Sequence, residues 1–139
     1  MTSDKLILII DDEEDIREVA QICLELTAGW RTMGAGSGAE GSARAHSDRP
    51  DAILLDVMMP GKDGIAVLGD LRADPLTADI PVIMLTAKAS AQRRPPSGAA
   101  GVIVKPFDPP KLADQIAEML GWSSVSALVS ENQSAKDPL

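Results

Sequence analysis

The sequence is poor in several residue types, and each shortage excludes a class of protein. It has one cysteine in 139 residues, so no internal disulfide can form and a reducing compartment is expected. Its longest apolar runs are too short to cross a bilayer, and the first residues, MTSDK, lack the basic and apolar stretches of a secretory signal. The sequence therefore predicts a cytoplasmic protein without a membrane partner.

Basic residues are also in the minority. Lysine and arginine number 13 against 21 aspartates and glutamates, which gives a formal net charge of −8. The basic residues are scattered, whereas binding to nucleic acid or anionic lipid depends on clustered lysine and arginine. We therefore expect no nucleic-acid partner. The length and the 45% apolar content predict one globular domain.

What the sequence does contain is a set of short apolar runs that end on polar residues. LILII runs into Asp11 and Asp12, AILL into Asp56, PVIML into Thr86 and GVIV into Lys105. Apolar runs without alternation are typical of parallel strands buried on both faces, and the carboxyl ends of such strands meet at one edge of the sheet. The stretch from Trp30 to Ala35 is predicted to be a fifth, weak edge strand, and helical patterns alternate with the strands. The predicted fold class is therefore α/β, a doubly wound five-stranded parallel sheet with helices on both faces.

Three carboxylates at one edge of a sheet need a cation. Two like charges ~4 Å apart repel by about 4 kcal/mol at an effective dielectric of ~20. A carboxylate-rich, oxygen-only site favours Mg²⁺, which keeps several waters and recruits phosphate oxygens. Together with an ammonium group and a hydroxyl donor, these groups can hold a phosphoryl group in transfer, and one aspartate can be the nucleophile.

The order of the motifs resembles the receiver domain of two-component response regulators. The matching motifs are Asp-Asp after the first strand, LLDVMMPGKDG around Asp56, MLTAKA around Thr86 and VKPF around Lys105. The resemblance covers residues 4–121 and implies the flavodoxin-like strand order 2-1-3-4-5. Residues 122–139 are then a C-terminal tail, predicted to be disordered or a short helix.

This resemblance implies a phosphoacceptor and a magnesium site. Asp56 is the implied acceptor, and the implied ligands of Mg²⁺ are Asp11, Asp12, Asp56 and the backbone carbonyl of Met58. The resemblance also implies that the protein is not an enzyme. At most it takes a phosphoryl group from a phosphodonor and loses that group again by hydrolysis.

The same resemblance assigns the phosphoryl contacts and the partners. Thr86 and Lys105 would contact the phosphoryl group, and the Lys105-Pro106 peptide is expected to be cis. The phosphodonor would be a sensor histidine kinase or a phosphotransfer protein, and a downstream protein would read the changed surface. A monomer or weak dimer is expected.

Two stretches depart from the family. Pro95 and Pro96 stand where family members have their fourth helix, and each proline costs ~3 kcal/mol in a helix interior. The fourth helix is therefore predicted to be shortened or missing. Val102 occupies the position, three before the lysine, where receivers often carry the Tyr or Phe whose rotation reports phosphorylation.

These departures keep a second function open, and the acidic site allows a third. A degenerate receiver would act as a constitutive interaction module that keeps the site without the switch. A magnesium-dependent phosphohydrolase of the haloacid dehalogenase type also uses an aspartyl nucleophile. Its nucleophile normally lies after the first strand in a DxD context, which Asp11, Asp12 and Glu13 do not supply.

Helical spacing also predicts which side chains face the core. The first helix, from about residue 14 to 27, has the predicted inward residues Ile16, Val19, Ala20, Cys23 and Thr27. In the third helix Ile65 is predicted to face inward, and Asp108 is the predicted N-cap of the last helix. The isolated His46 is predicted to lie on the surface.

Overall fold

The computed structural model describes residues 4–87 and 96–122, in which five strands alternate with helices. The strands are β1 (Leu6–Ile10), β2 (Arg31–Ala35), β3 (Ala52–Asp56), β4 (Val82–Ala87) and β5 (Gly101–Lys105). The α-helices of these ranges are α1 (Glu14–Ala28), α2 (Gly38–Asp48), α3 (Gly64–Ala73) and α4 (Leu112–Leu120), and a 3₁₀ turn, Pro109–Lys111, leads into α4.

All four strand pairings are parallel, and the strand order is β2-β1-β3-β4-β5, which confirms the predicted topology. The central strands are the most buried, since every residue of β3 is buried and so is β1 from Ile7 onward. Helices cover both faces of the sheet, which explains why these strands are apolar without alternation.

The sheet separates two apolar cores. Ile7 and Ile9 of β1 point into the core that α1 and α4 cover, whereas Leu8 and Ile10 point into the core that α2 and α3 cover. The division follows from the two-residue period of a strand. It leaves the strand ends, and not the faces, as the place where polar groups can gather.

The amino ends of the strands form one edge of the sheet, which we call the amino edge. Trp30 precedes β2 and packs against Trp122, with ring centroids 5.4 Å apart and an interplanar angle of 89°. The ammonium group of Lys5 lies 4.4 Å from the centroid of the Trp122 ring. Trp122 therefore packs on the domain, although the sequence analysis assigned it to the tail.

The inward face of α1 is narrower than predicted. Ala20, Cys23 and Leu24 are its buried residues, while Val19 is 45% exposed and Thr27 is also exposed. In α3, Ile65 is likewise exposed. These helices meet the sheet along one line, so residues at the margin of the apolar stripe stay in contact with solvent.

Asp108 does not cap the last helix with its side chain, contrary to prediction. Pro109 and Pro110 follow it and have no N–H to donate. The carbonyl of Asp108 instead accepts a hydrogen bond of 2.9 Å from the N–H of Lys111, which closes the 3₁₀ turn. The chain enters α4 only after that turn.

The remaining predictions concern the segment before β5, the tail and membrane-spanning helices, and they are compared here with the described residues alone. Residues 96–100, which precede β5, contain no helix, and residues 88–95 lie outside the described part. The predicted tail, from residue 123 on, also lies outside it. No helix in the described ranges is long and apolar enough to cross a membrane.

Candidate functional site

Three strands bring charged residues together at their carboxyl ends, an edge we call the carboxyl edge. Asp11 follows β1 and is fully buried, Asp56 ends β3 and is 3% exposed, and Lys105 ends β5. The Nζ atom of Lys105 lies 2.9 Å from Oδ2 of Asp11 and 3.2 Å from Oδ1 of Asp56. The lysine side chain thus reaches across the end of β4 to both carboxylates.

Asp12 completes an acidic cluster. Asp11, Asp12 and Asp56 each offer a carboxylate oxygen, and the three oxygens lie within 4.8 Å of one another. Asp12 is exposed whereas the other two are buried, so the cluster opens to solvent on one side. Lys105 neutralises part of this charge, and the remainder favours a cation.

The buried carboxylate of Asp11 shows which kind of ion the cluster would suit. Oδ1 of Asp11 accepts a hydrogen bond of 2.9 Å from the N–H of Glu13, whereas Oδ2 has the ammonium group of Lys105 at 2.9 Å and no further partner among the described residues. Buried carboxylate oxygens normally have a hydrogen-bond partner or a metal. An oxygen-only donor set with one open side is also what Mg²⁺ prefers. The residues present therefore fit a hard divalent cation.

Burial and neighbouring charges shift the pKa values of Asp56 and Lys105. Burial, followed by the charge of Asp11, raises the pKa of Asp56 above its ordinary value, and the pairing with Lys105 opposes that rise. Burial alone would lower the pKa of Lys105, but its contacts with Asp11 and Asp56 outweigh burial and hold that pKa above its ordinary value. The lysine therefore stays charged, and the acidic pair remains strained by its own repulsion.

Thr86 and Met58, the other two predicted site residues, flank Asp56. Thr86 is 5% exposed and lies near the end of β4, one residue past Leu85, which pairs with Asp56. The N–H of Met58 lies 3.2 Å from Oδ1 of Asp56 and donates to it, while the Met58 side chain is 72% exposed. The Lys105-Pro106 peptide is cis, as predicted.

Sequence reasoning missed three residues that support the site. The guanidinium of Arg17 donates to the carbonyl of Asp11 at 2.8 Å, and Oε1 of Glu13 lies 3.8 Å from Nζ of Lys105. A Cβ atom on Gly64 would lie 2.3 Å from the carbonyl oxygen of Asp56, so α3 can begin this close to β3 only with a glycine. The Asp63-Gly64 pair, at the N-cap and first residue of α3, was the available signal for Gly64, whereas Arg17 offers no motif.

The single histidine and the single cysteine lie outside the acidic cluster. His46 is exposed, as predicted, and its Nδ1 lies 2.6 Å from Oδ2 of Asp74, which lowers the pKa of that carboxyl. Cys23 is buried, and its Sγ is in contact with the carbonyl of Pro109. Burial, with the nearby charge of Asp108, raises the pKa of the Cys23 thiol, which makes it a poor nucleophile.

The fold and the carboxyl-edge site together define an α/β domain of the flavodoxin-like strand order, with acidic residues and a lysine at the topological switch point. The family model of the response regulator receiver domain matches residues 7–117. The chain belongs to this family, which supports a phosphoaccepting role in two-component signalling.

Curated relatives agree with this assignment. The phosphate regulon transcriptional regulatory protein PhoB of Pseudomonas aeruginosa is 41% identical over 119 residues, which are 84% of this chain and 52% of that protein. The DNA-binding dual master transcriptional regulator RpaA of Synechocystis is 42% identical over 82% of this chain and 48% of that protein. The chain thus spans about half the length of these relatives. Both are named as regulators and not as enzymes, which favours the predicted non-enzymatic role over a phosphohydrolase.

Solved structures confirm the fold. The chemotaxis response regulator CheY4 of Vibrio cholerae superposes with a TM-score of 0.75 at 27% identity, over 84% of this chain and 99% of that one. The N-terminal domain of a response regulator receiver protein from Methanoculleus marisnigri gives a TM-score of 0.68 at 35% identity, over 87% and 100% of the two chains. The likeness covers the described domain.

Proposed function

We propose that the protein is a phosphoaccepting switch in which Asp56 receives a phosphoryl group from the phosphohistidine of a sensor kinase or phosphotransfer protein. The observation that carries this proposal is the buried Asp56 carboxylate, held 3.2 Å from the ammonium group of Lys105 at the carboxyl edge. The functional unit would be the receiver domain of residues 4–121, working in the cytoplasm as a monomer or weak dimer.

In the transfer step, a carboxylate oxygen of Asp56 attacks the phosphorus atom. A P–O bond forms, the P–N bond of the phosphohistidine breaks, and the electron pair stays on the imidazole nitrogen, which then takes up a proton. The ammonium group of Lys105, which contacts the free Asp56 carboxylate, would then contact the incoming phosphoryl oxygens. Thr86, at the end of the neighbouring strand, supplies a hydroxyl donor to the same group.

Magnesium is the proposed cofactor. Asp11, Asp12, Asp56 and the backbone carbonyl of Met58 would hold it, and bound Mg²⁺ supplies positive charge that stabilises the transferring phosphoryl group. The acidic cluster and the unsatisfied Oδ2 of Asp11 support this assignment. Glu13 and Arg17 would keep the Asp11 segment in place through their contacts with it.

The output would be a protein-protein contact with a downstream partner. Val102 is half-buried against the core that α2 and α3 cover, and it is too small to swing between buried and exposed positions as an aromatic ring does. The signal would then pass through Thr86. This same valine supports the second candidate, a degenerate receiver that binds its partner constitutively.

Intact-mass measurement after incubation with acetyl phosphate and Mg²⁺ tests the proposal. The wild type should gain one phosphoryl group, Asp56→Asn should gain none, and Asp48→Asn, which changes an exposed acid at the end of α2, should behave as the wild type. Equal labelling of Asp56→Asn would overturn the assignment of the acceptor. A wild type that binds Mg²⁺ but takes no phosphoryl group from any donor would favour the degenerate receiver.

A further inference from the structure

Arg72, near the end of α3, joins two loops through its guanidinium group. Its Nη1 donates to the carbonyl of Thr77 at 3.3 Å and to that of Ala78 at 2.9 Å, both in the loop between α3 and β4. Its Nε and Nη2 donate to the carbonyl of Gly98 at 3.0 Å and 2.8 Å, just before β5. We call this set of contacts the Arg72 clamp. A planar group with several fixed donors suits such a fork, whereas an ammonium group does not.

On one side, Arg72 binds the loop between α3 and β4, which is itself held in place by Thr77. Thr77 is fully buried, and its hydroxyl donates to the carbonyl of Leu71 at 2.6 Å. Its N–H donates to the carbonyl of Asp74 at 3.0 Å, and its own carbonyl accepts from the N–H of Ile80 at 3.1 Å. The loop that receives Nη1 is thus tied to α3 at several points.

The other side of the clamp is fitted to Gly98. This residue has a φ of +94°, and an added Cβ atom would lie 3.3 Å from Cγ of Arg72. A side chain at this position would therefore strain the backbone and press on the arginine stem. Two residues later, the N–H of Ala100 donates to the carbonyl of Val82 at 2.7 Å, and β5 begins to pair with β4.

The position of β5 determines the position of Lys105. Within the described residues β5 is an edge strand that pairs with β4, in a register that sets Gly101 against Ile83 and Lys105 against Ala87. A slip of one residue would turn each side chain of β5 to the other face. Lys105 would then lose its contacts with Asp11 and Asp56.

We propose that Arg72 is a positioning residue for Lys105: by holding Gly98 on the loop between α3 and β4, it fixes the start and the register of β5. This role rests on the proposed function of Asp56 and Lys105. In the part of the chain that the structure describes, the hydrogen bonds of Arg72 go to Thr77, Ala78 and Gly98 and none goes to the phosphoryl site, so its effect would reach that site through the strand. Within residues 96–100 the N–H of Ala99 donates to the carbonyl of Pro96 at 3.0 Å, and the clamp adds to this turn a tie to α3 and the following loop.

Backbone hydrogen exchange, followed residue by residue by NMR, tests the first half of this proposal. In Arg72→Ala the amides of residues 101–105 should exchange roughly tenfold faster or more, because several hydrogen bonds are lost, while those of β1 should change little. Gly98→Ala should give the same local pattern, and Arg72→Lys should restore only part of the protection. The matched control is Arg31→Ala, which removes an exposed arginine from β2, the opposite edge strand.

The rate of phosphorylation by acetyl phosphate tests the second half, under conditions in which every variant is folded. Arg72→Ala and Gly98→Ala should be slowed severalfold, and Arg31→Ala should match the wild type. Unchanged exchange in β5, or an equal rise in all strands, would overturn the proposal, as would a wild-type rate in both variants despite a loosened β5. If Arg72→Ala does not fold, the lysine and Gly98 variants carry the same test. A wild type that takes no phosphoryl group would count against the proposed function, and the exchange pattern would then still decide the role of the clamp in fixing β5.

Discussion

At the amino edge of the sheet the exposed Arg31 and Asp4 pair with each other, whereas at the carboxyl edge two buried aspartates and the exposed Asp12 outnumber their one lysine. The Arg31–Asp4 pair of the amino edge has a separation of 3.0 Å with both side chains more than half exposed. At the carboxyl edge, Asp11 and Asp56 are buried and share one lysine.

The two edges therefore differ in their contribution to stability: the contacts of the amino edge stabilise the fold, and the carboxylates of the carboxyl edge do not. An exposed ion pair contributes about 0–1 kcal/mol, and the apolar contacts of Trp30 stabilise the amino edge far more. Buried carboxylates that face each other lower stability, and nothing in the packing requires them. Their presence fits the proposed function, in which a metal ion and a phosphoryl group would use their charge.

The largest effect is expected at the amino edge, from Trp30→Ala. Removing this buried ring should lower the free energy of unfolding by about 3–5 kcal/mol, because it leaves a cavity and ends the contact with Trp122. Urea denaturation measures the loss, with Ile22→Ala, an exposed apolar residue of α1, as the control. Affinity for Mg²⁺ should be unchanged while the variant is folded, and a weakened metal site would show that the two edges are coupled.

At the carboxyl edge, Asp12→Ala should weaken Mg²⁺ binding by roughly tenfold or more, because a carboxylate contributes both charge and octahedral geometry to such a site. Isothermal titration calorimetry measures the affinity. Asp15→Ala, which removes an exposed acid from the first turn of α1 outside the cluster, is the control. Equal affinities in the two variants would remove Asp12 from the metal site.

A smaller effect with the opposite sign is expected from Asp56→Asn at neutral pH. The folded state raises the pKa of Asp56, so it binds the proton more tightly than the unfolded chain does, and the ionised form lowers stability above the folded pKa. Asparagine, which does not titrate, should raise the free energy of unfolding at pH 7 on the order of 1 kcal/mol.

This gain should shrink as the pH falls through the raised pKa towards the ordinary carboxyl range, because the wild-type Asp56 is then protonated as well. Urea denaturation of both proteins at a series of pH values measures the difference. A gain that grows on acidification, or an asparagine variant that is less stable at pH 7, would contradict the cause we assign to the shift.

The smallest effect is expected from Arg31→Ala, which should change the free energy of unfolding by less than about 0.5 kcal/mol, since both partners of its ion pair are exposed. High salt should change the wild type and the variant alike. A loss of more than about 1 kcal/mol would mean that the charges of the amino edge support the fold and that the contrast between the edges is overstated.

Much of this organisation could be predicted from the sequence, because the signals were local. A strand buried on both faces must be apolar throughout, which identified β1 and β3, and the polar residue after each apolar run identified the carboxyl edge. Trp30 gave no comparable signal, because its packing depends on Trp122, far away in the chain.

The errors arose where one pattern has several structural solutions. Helical spacing places Val19 and Cys23, four residues apart, on the same side of α1, and only the packing on the sheet decides that Cys23 is buried while Val19 is exposed. An Asp before Pro-Pro satisfies the composition of an N-cap, but Pro110 has no N–H to donate and the N–H of Lys111 goes to the carbonyl of Asp108. Arg72 was not predicted at all, because its partners are backbone carbonyls and carry no sequence signal.

The position of Trp30 and Trp122 also determines which changes the intrinsic fluorescence of this protein can detect. The chain has two tryptophans and no tyrosine, and both indoles lie at the amino edge, away from the carboxylates. Intrinsic fluorescence should therefore follow unfolding and stay nearly constant when the acidic cluster is occupied. A third indole, introduced by Met58→Trp at a residue that is 72% exposed next to Asp56, would be the first at the carboxyl edge. Comparing the fluorescence spectra of the wild type and of Met58→Trp would then separate denaturation from occupancy of the acidic cluster.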